Sequence, residues 1–370
     1  MSDRLTILHL THEGHGAGSS VSIALLARAQ RRAGHRVLVG CPAESWLERV
    51  LAPRGVEFVP ISFESITVAS HLIEKVAVLG QVDVVNAHSS RDRAATRRLR
   101  LRRGLKAALV MTRRGMPMST VVSAVTNGIL ADRMIAVSRP VKRALVRRGT
   151  PWWKVDVVPN AVDLERVDRV VSDAQREAAR TLMRDAARLR PAPEGGRPAA
   201  PGELVIGVVA RRKDHDTLVE AMRYVKTPVT LLLIGFSSII YRLPAGVPHR
   251  LVSLPFQDDP RPFYDLIDIV TLPTRHEGLS QGLMEAMALG KPVVTTRSGG
   301  NTDLIEHEVH GLLVPAVHPR ALGAALQRMI DDPVLRERLG AAASRRVRAE
   351  FTVERTVAGT DASYRAALGR

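Results

Sequence analysis

The segment that decides the fold is residues 266–290, which read LIDIVTLPTRHEGLSQGLMEAMALG. The first seven residues are mostly apolar and β-prone, Pro273 ends them, and a helical pattern begins near Ser280. A strand that passes through a short loop into a helix is the repeating element of a parallel α/β sheet. Ligands bind such sheets at the carboxyl ends of the strands, where the start of a helix suits a phosphate group.

Two glutamates lie eight positions apart in this segment, Glu277 in the predicted loop and Glu285 in the first turns of the predicted helix. Carboxylates near a phosphate site are explained if they accept hydrogen bonds from hydroxyl groups. A sugar nucleotide carries a diphosphate between two hydroxyl-rich rings, so the segment indicates a sugar-nucleotide site. Taken alone, it also fits a glutamate favoured by the helix dipole and a second glutamate on the surface.

Composition restricts the class of protein. A chain of 370 residues with 45% hydrophobic content predicts about two globular domains rather than a disordered protein. The single cysteine, Cys41, excludes an intrachain disulfide and a cysteine metal cluster, and it indicates a reducing compartment. The N-terminal sequence does not resemble a signal peptide, and no stretch reaches the ~20 apolar residues that span a bilayer. We therefore expect a cytoplasmic protein, with peripheral binding at the inner face of the cell membrane as a further hypothesis.

Strand-like runs alternate with helical patterns in both halves of the chain, which predicts two doubly wound parallel sheets. The predicted strands are residues 5–10, 36–41, 56–60, 82–87, 107–112, 133–137, 155–158, 204–209, 229–234, 250–254, 266–272, 292–295 and 311–314. Residues 165–190 read as helical, and residues 191–202 are rich in Pro and Gly and read as a linker. The predicted organisation is an N-terminal acceptor-binding domain (1–163), a helical segment with the linker (164–202), a nucleotide-sugar-binding domain (203–350) and a C-terminal helix that packs back on the first domain (351–370).

Three other motifs accompany the glutamate pair: Gly299-Gly300 after a buried strand, GLLVP at residues 311–315 and VPNAVD at residues 158–163. With the glutamates they resemble the retaining glycosyltransferases of family 4 (glycosyl transferases group 1), over nearly the whole chain. The resemblance implies the GT-B fold, in which two Rossmann-like domains face a cleft. It also implies a nucleotide-diphosphate-sugar donor, a glycan or glycolipid acceptor and a place in cell envelope glycan synthesis, such as that of lipopolysaccharide.

The resemblance also implies roles for residues of the second domain. Glu277 would bind hydroxyls of the transferred sugar, and Glu285 would bind the ribose. Arg211 and Lys213, with Arg212 as a further candidate, would neutralise the donor diphosphate, although the loop is shorter than is usual in the family and also fits a solvated basic turn. The other donor-binding candidates are Gly278, Leu279, Ser280, Gly282, Leu283, Gly299 and Gly300, the last two of which also fit a tight turn.

In the first domain, Gly16 and Gly18 lie in a glycine-rich loop that the resemblance places near the donor phosphates or the acceptor. This loop lacks the Gly-x-Gly-x-x-Gly spacing of a dinucleotide site. His88 matches a family histidine near the cleft, and it also fits a satisfied histidine at a strand end. Arg114 stands where many members carry a histidine close to the anomeric carbon. Arginine can support a leaving phosphate or an anionic acceptor, but it cannot act as a general base.

The Asp214-His215-Asp216 triplet resembles the Asp-x-Asp motif of metal-dependent transferases. Its position at an apparent helix start favours helix capping instead. We therefore expect no catalytic metal, and no cofactor, since the nucleotide sugar is a substrate.

Arg91 and Arg103 bound a thirteen-residue segment that contains seven arginines. A basic amphipathic helix of this kind favours docking on an anionic membrane, and it also fits a solvated surface in an arginine-rich chain. No aromatic residues are interleaved with the arginines, so we expect no specific nucleic-acid partner. Two other function classes stay open: a related GT-B enzyme (a sugar-nucleotide epimerase, or a phosphorylase with a lysine-bound pyridoxal cofactor) and a non-catalytic basic binding protein with a degenerate donor site.

Overall fold

The computed structural model describes residues 4–16, 18–102, 104–117, 120–188, 202–211, 213–235 and 241–369. They form two compact units. The first unit comprises the residues up to Ala161 together with those from Phe351 onward, and the second unit is Val162–Glu350.

The first unit is a seven-stranded parallel sheet with the strand order β3-β2-β1-β4-β5-β6-β7. Its strands are β1 Thr6–Leu10, β2 Arg36–Cys41, β3 Glu57–Pro60, β4 Val84–Ala87, β5 Ala108–Arg113, β6 Arg133–Ala136 and β7 Val155–Val157. Its helices are α1 Gly18–Arg32, α2 Trp46–Leu51, α3 Ile66–Leu79, α4 Ser90–Leu101, α5 Val121–Leu130 and α6 Arg139–Val146. The order reverses between β1 and β4, so the loops after these two strands form the ligand-binding position of this fold.

The second unit is a six-stranded parallel sheet with the order β10-β9-β8-β11-β12-β13. Its strands are β8 Val205–Val209, β9 Thr230–Ile234, β10 Arg250–Leu254, β11 Ile269–Leu272, β12 Val293–Thr296 and β13 Leu312–Val314. Its helices are α7 Leu164–Val167, α8 Asp173–Arg188, α9 His215–Ala221, α10 Arg261–Tyr264, α11 Gln281–Ala288, α12 Asn301–Leu304, α13 Pro319–Asp331 and α14 Pro333–Glu350. Here the order reverses between β8 and β11.

The last helix, α15 (Val353–Ala367), belongs to the first unit although it follows the second in the chain. It contacts α1, β5 and β6. Tyr364 on this helix is fully buried in a core cluster with Ile7, Val84 and Val110. Apolar burial of this kind stabilises the helix on the sheet.

The predicted fold of two Rossmann-like parallel sheets is confirmed, and each of the thirteen predicted strands corresponds to a strand in the described residues. The run 266–272 forms a strand only from Ile269, because helix α10 ends just before it and the Asp268 carboxylate accepts the Val205 N–H at 2.7 Å. The helical pattern at 165–190 forms two helices, α7 and α8. The predicted linker lies outside the described residues apart from Gly202.

Candidate active site

The loop between β11 and α11 presents Glu277 at the position where the second sheet reverses its order. Pro273 follows the strand, and α11 begins after Ser280, whose hydroxyl accepts the Leu283 N–H at 3.3 Å. Glu277 is 9% exposed, and its Oε1 accepts the Gly278 N–H at 3.2 Å. The predicted placement of one glutamate in the loop and the other in the helix is confirmed.

Gly299 and Gly300 hold the backbone of this loop by direct contact. A β-carbon on Gly299 would lie 1.8 Å from the carbonyl oxygen of Glu277, and one on Gly300 would lie 1.8 Å from that of Gly278. The Gly300 N–H donates to the Glu277 carbonyl at 3.0 Å. The Gly300 N–H is therefore engaged within the protein, and donor contacts of Gly299 and Gly300 remain a prediction. Gly299 and Gly300, which we call the glycine clamp, hold the peptide that carries Glu277 in place.

Lys213, in the loop after β8, supplies a cation to Glu277. Its Nζ lies 3.1 Å from Glu277 Oε2. Its backbone N–H donates to His215 Nδ1 at 3.0 Å, and His215 stacks on Tyr241 with ring centroids 5.6 Å apart. Of the residues predicted to bind phosphate, Lys213 contacts the Glu277 carboxylate, Arg211 is exposed, and Arg212 lies outside the described residues. Their contacts with a phosphate remain a prediction.

Asp214 ties the Lys213 loop to the Glu277 loop. Its N–H donates to the Pro273 carbonyl at 3.1 Å, and its carboxylate binds Arg275 at 3.1 Å and the Thr217 hydroxyl at 2.8 Å. Although Asp214 occupies the N-cap position of α9, its side chain accepts no backbone N–H there, so the predicted capping bond is wrong. Within the described ranges, no three His, Cys, Asp or Glu side chains group as ligands of a metal ion.

Glu285 lies in the second turn of α11 and forms an ion pair with Arg166 of α7, at 3.2 Å between Oε1 and the guanidinium. Burial raises the pKa of Glu285, and the Arg166 cation opposes that rise. The carboxylates of Asp163 and Asp259 raise it further. Arg166 was not predicted, because it stands 119 residues before Glu285 and no local pattern marks the pairing.

The other residues predicted around the donor position the first turn of α11. The side chains of Leu279 and Leu283 are buried. A β-carbon on Gly282 would lie 2.7 Å from the Val209 carbonyl oxygen, and the Gly282 carbonyl accepts the Tyr264 hydroxyl at 3.0 Å. These contacts press α11 against the end of β8. Ligand contacts of these residues remain a prediction.

In the first unit, the glycine-rich loop joins β1 to α1 as predicted, with Gly18 as the first residue of the helix. A β-carbon on Gly16 would lie 3.2 Å from the indole of Trp46. The Ser20 hydroxyl donates to the Glu13 carbonyl at 3.0 Å and closes the loop. Gly16 is therefore explained by packing within the unit, and ligand contacts of Gly16 and Gly18 remain a prediction.

His88 follows β4 and is 4% exposed. Its Nε2 lies 2.9 Å from Nδ1 of His9 on β1, and the rings stack with centroids 5.2 Å apart. Burial lowers the pKa of His9 to about 4. Burial also lowers the pKa of His88 well below its ordinary value, and the nearby Arg114 cation adds to that effect. Both imidazoles are therefore neutral near pH 7.

Arg114 comes directly after β5 and donates a hydrogen bond to Oδ1 of Asn160. Burial lowers the pKa of Arg114 to about 10, so the side chain stays cationic near neutral pH. The Arg114 cation lies near enough to His88 to lower the pKa of that imidazole. Its observed bond joins the loop after β5 to the segment after β7, and Asn160 was missed as its partner.

The arginines of residues 91–103 do not form one exposed basic face, which corrects the predicted docking helix. Arg93 is buried, and its guanidinium donates to two backbone carbonyls at 2.7 and 3.3 Å. Arg100 donates to both carboxylate oxygens of Asp132 at 2.6 Å, and Arg97 reaches side chains of α5. Arg103 lies outside the described residues. No helix in the described ranges combines the length and the apolar character that a membrane span requires.

Two family models match the chain: Glycosyltransferase Family 4 over residues 16–166, and Glycosyl transferases group 1 over residues 201–332. The chain is 31% identical over 230 residues to D-inositol 3-phosphate glycosyltransferase of Jonesia denitrificans, covering 57% of this chain and 51% of that protein. It is 32% identical over 145 residues to the lipopolysaccharide core biosynthesis glycosyltransferase LpsE of Rhizobium meliloti, covering 38% and 42%. The chain therefore belongs to glycosyltransferase family 4, as predicted, and its matches span about half the length of these curated relatives.

The structure resembles that of Anabaena Alr3699/HepE, which was solved in complex with UDP-glucose. The TM-score is 0.80 at 19% sequence identity, covering 97% of this chain and 98% of the other. At this identity the likeness establishes the fold. The fold is GT-B, with two Rossmann-like units.

Proposed function

We propose that this protein is a retaining glycosyltransferase, which transfers a sugar from a nucleotide-diphosphate-sugar to a hydroxyl of an envelope glycan or lipid-linked acceptor. The observation that carries the proposal is the pair of Glu277 and Lys213, 3.1 Å apart, at the point where the second sheet reverses its order. A carboxylate accepts hydrogen bonds from sugar hydroxyls, and an ammonium group neutralises a phosphate. Their adjacency fits a sugar diphosphate better than either group would alone.

The second unit would bind the donor. Glu277, held by the glycine clamp, would orient the sugar ring through its hydroxyls. Lys213 would transfer part of its interaction from Glu277 to the diphosphate as that group gains charge on leaving, and a preorganised cation stabilises such a charge. An ionised Glu285 would accept the two ribose hydroxyls.

The first unit would bind the acceptor. The acceptor hydroxyl would attack the anomeric carbon from the face on which the diphosphate departs, which retains the configuration. Arg114 cannot remove the proton, since it stays cationic, and the neutral His88 is a weak base at its lowered pKa. We therefore assign the proton to the departing diphosphate oxygen.

Access to a lipid-linked acceptor requires a surface that meets a bilayer, and α5 supports such a surface. The buried residues of this helix are Ala124, Asn127 and Gly128, while Val122 is 74% exposed and Ile129 is 63% exposed, so large apolar side chains lie on its exposed side. The turn before β7 exposes Trp152 and Trp153 by 64% and 60%. Contiguous exposed apolar side chains mark interaction sites, and Trp favours the membrane interface.

The turn with Trp152 and Trp153 lies next to the end of α5, because Lys154 of that turn donates from Nζ to the Ile129 carbonyl at 3.1 Å. Residues 91–154 contain seventeen Lys and Arg but only two Asp and Glu. We propose that this α5–Trp surface (Val122, Ile129, Trp152 and Trp153) docks on an anionic bilayer. Apolar side chains would enter the interface, while exposed cations of the same stretch, such as Arg143 and Arg147, would meet lipid phosphates.

The donor site is tested by nucleotide diphosphate release from a panel of UDP-, GDP- and ADP-sugars, beginning with UDP-glucose. We expect release from one donor, reduced about 10²-fold or more in Glu277→Gln and Glu285→Gln. Glu337→Gln, on the exposed side of α14, is the matched control and should behave as wild type. Tight nucleotide binding without diphosphate release would show that the reaction lacks its acceptor. If no nucleotide bound, the proposal would be wrong and a non-catalytic basic binder would take its place.

Membrane docking is tested by sedimentation with anionic and neutral liposomes. We expect binding only to anionic vesicles, and loss of that binding in Trp152→Ser/Trp153→Ser. Val334→Ser replaces a similarly exposed apolar residue of the second unit and should leave binding unchanged. Equal weak binding to both vesicle types would refute the docking surface without affecting the donor site.

A further inference from the structure

A buried chain of polar side chains crosses the first unit from α15 to the end of β4. His35 Nε2 lies 3.0 Å from Asp361 Oδ2, and Asp361 Oδ1 accepts the Gln30 amide N–H at 2.7 Å. Gln30 Oε1 lies 2.9 Å from His9 Nε2, and His9 Nδ1 lies 2.9 Å from His88 Nε2. We call these five residues the histidine relay. None belongs to the part of the site that would bind the donor.

One end of the relay is fixed by the backbone, which determines the hydrogen positions along it. The Leu5 N–H can only donate, at 3.1 Å to His35 Nδ1, so His35 carries its hydrogen on Nε2 and donates to Asp361. The Asp361 carboxylate only accepts, so the Gln30 amide nitrogen faces it. The Gln30 carbonyl oxygen therefore faces His9, and His9 must carry a hydrogen on Nε2.

The same reasoning continues to His88. His9 is neutral because burial lowers its pKa to about 4, so its Nδ1 is an acceptor and His88 must carry a hydrogen on Nε2. His88 is neutral as well, since burial and the Arg114 and Arg93 cations lower its pKa. Its Nδ1 therefore carries a lone pair. That nitrogen is buried, and no described residue donates a hydrogen bond to it.

A buried acceptor without a donor is costly, so this lone pair calls for a partner outside the protein. We propose that His88 Nδ1 accepts a hydrogen bond from a hydroxyl of the sugar acceptor, and that the histidine relay holds His88 in the tautomer this bond requires. This inference rests on the proposed function. His88 would contact the substrate, whereas His9, Gln30, Asp361 and His35 would be positioning residues.

The assigned role is orientation of the hydroxyl rather than removal of its proton. A neutral imidazole whose protonated form is disfavoured by burial accepts a hydrogen bond without becoming charged. The bond directs an oxygen lone pair of the hydroxyl away from the ring. A hydrogen on Nδ1 would have the opposite effect, because it would engage the lone pair of the attacking oxygen.

Asp361→Asn should invert the relay. The new amide must still accept from His35 through its oxygen, because the backbone end of the relay cannot change, so its NH₂ group faces Gln30. The Gln30 amide then turns over, with its oxygen toward the new NH₂ and its own NH₂ toward His9. His9 becomes the Nδ1–H tautomer, and His88 presents a hydrogen on Nδ1 instead of a lone pair. The Tyr364 hydroxyl, which also bonds Gln30 and accepts the Asn86 amide N–H at 2.7 Å, would have to turn with the Gln30 amide.

The double variant Gln30→Glu/Asp361→Asn should restore the original order. The carboxylate introduced at position 30 only accepts hydrogen bonds, so His9 must again carry its hydrogen on Nε2. The amide introduced at position 361 still accepts from His35 through its oxygen, and its NH₂ group donates to that carboxylate. The double variant has the same net charge as wild type and differs little in shape. Merely structural damage from the first substitution would not be repaired by the second.

The tautomers are measured in free protein with isotope-labelled histidine, by long-range proton–nitrogen correlation at alkaline pH, where His9 stays neutral. We expect His9, His35 and His88 to be Nε2–H tautomers in wild type and the double variant, and His9 and His88 to be Nδ1–H tautomers in Asp361→Asn. Any other wild-type pattern, or no inversion in Asp361→Asn, would overturn the relay. This result is independent of whether a donor is turned over.

Turnover tests the hydroxyl contact. With the nucleotide sugar selected by the donor panel, we expect kcat to fall about ten-fold in Asp361→Asn, as for a mismatched buried hydrogen bond. The donor KM should not change, and kcat should recover in the double variant. An inverted tautomer with unchanged kcat would overturn the substrate contact. Failure of wild type to use any donor would instead contradict the proposed function, while the tautomer measurement would still decide the relay.

Discussion

The glycine clamp makes a prediction that separates positioning of Glu277 from backbone strain. Gly299 has φ +50, and a β-carbon there would lie 1.8 Å from the Glu277 carbonyl oxygen, whereas real β-carbons essentially never come within 3.0 Å of another atom. In Gly299→Ala the peptide of Glu277 or the clamp loop must therefore move by more than 1 Å. Gly290 at the end of α11 has φ +73 with no atom within 4 Å, so Gly290→Ala carries the strain without the collision.

Both substitutions place alanine in the left-handed region, which costs about 1–2 kcal/mol of folding free energy. Gly299→Ala should cost about 1–3 kcal/mol more, as other overpacked sites do. Because a displacement of about 1 Å at a reacting group can reduce turnover ~10²-fold, we expect diphosphate release to fall by that factor in Gly299→Ala. It should stay within about two-fold of wild type in Gly290→Ala.

The assay combines urea unfolding with kcat/KM for diphosphate release from the selected donor. Gly300→Ala is a second probe, since its β-carbon would lie 1.8 Å from the Gly278 carbonyl oxygen at a position without positive φ. Equal turnover in Gly299→Ala and Gly290→Ala would refute the view that the clamp positions Glu277. If Gly299→Ala and Gly300→Ala lowered the stability but left turnover normal, the glycine clamp would contribute to folding only.

Three further results are expected. Lys213→Met leaves the Glu277 carboxylate without its cation and removes a positive charge that would stabilise the leaving diphosphate. Steady-state kinetics should therefore show diphosphate release reduced about 10²-fold in Lys213→Met and partly recovered in Lys213→Arg. Burial raises the pKa of Glu285, so nucleotide affinity, which needs the ionised form, should be present above that pKa and decline as pH falls through it. Arg166→Gln removes the cation that lowers this pKa, and titration calorimetry across pH should show the decline move to higher pH. Asn160→Ala removes the hydrogen-bond acceptor of the Arg114 guanidinium and should lower the free energy of unfolding, measured in urea, by about 1–3 kcal/mol. An unchanged free energy would show that this hydrogen bond is not stabilising.

Much of the architecture was predictable because it depends on neighbouring residues. Apolar runs bounded by turn residues predicted the strands, and Pro273 with Ser280 marked the end of β11 and the start of α11. The start of β11 was less well predicted, since Asp268 ends the preceding turn by a hydrogen bond to a residue 63 positions away. The basic segment at 91–103 was misjudged for a similar reason. The charge of this segment can be read from the local sequence, but the burial of Arg93 depends on backbone carbonyls that other elements supply.

The sequence by itself determined the alternation of strands and helices, the family and the loop and helix that carry Glu277 and Glu285, because periodicity, Pro and capping residues act within a few positions. Only the tertiary structure decided which groups meet: Lys213 with Glu277, Arg166 with Glu285 across 119 residues, and Gln30 with Asp361 across 331. Such pairs form when sheet order and helix packing bring distant segments together, and their hydrogen bonds are set by distances that no sequence pattern records. The raised pKa of Glu285 follows from burial and neighbouring carboxylates, and the tautomer that we propose for His88 follows from the hydrogen bonds of the relay.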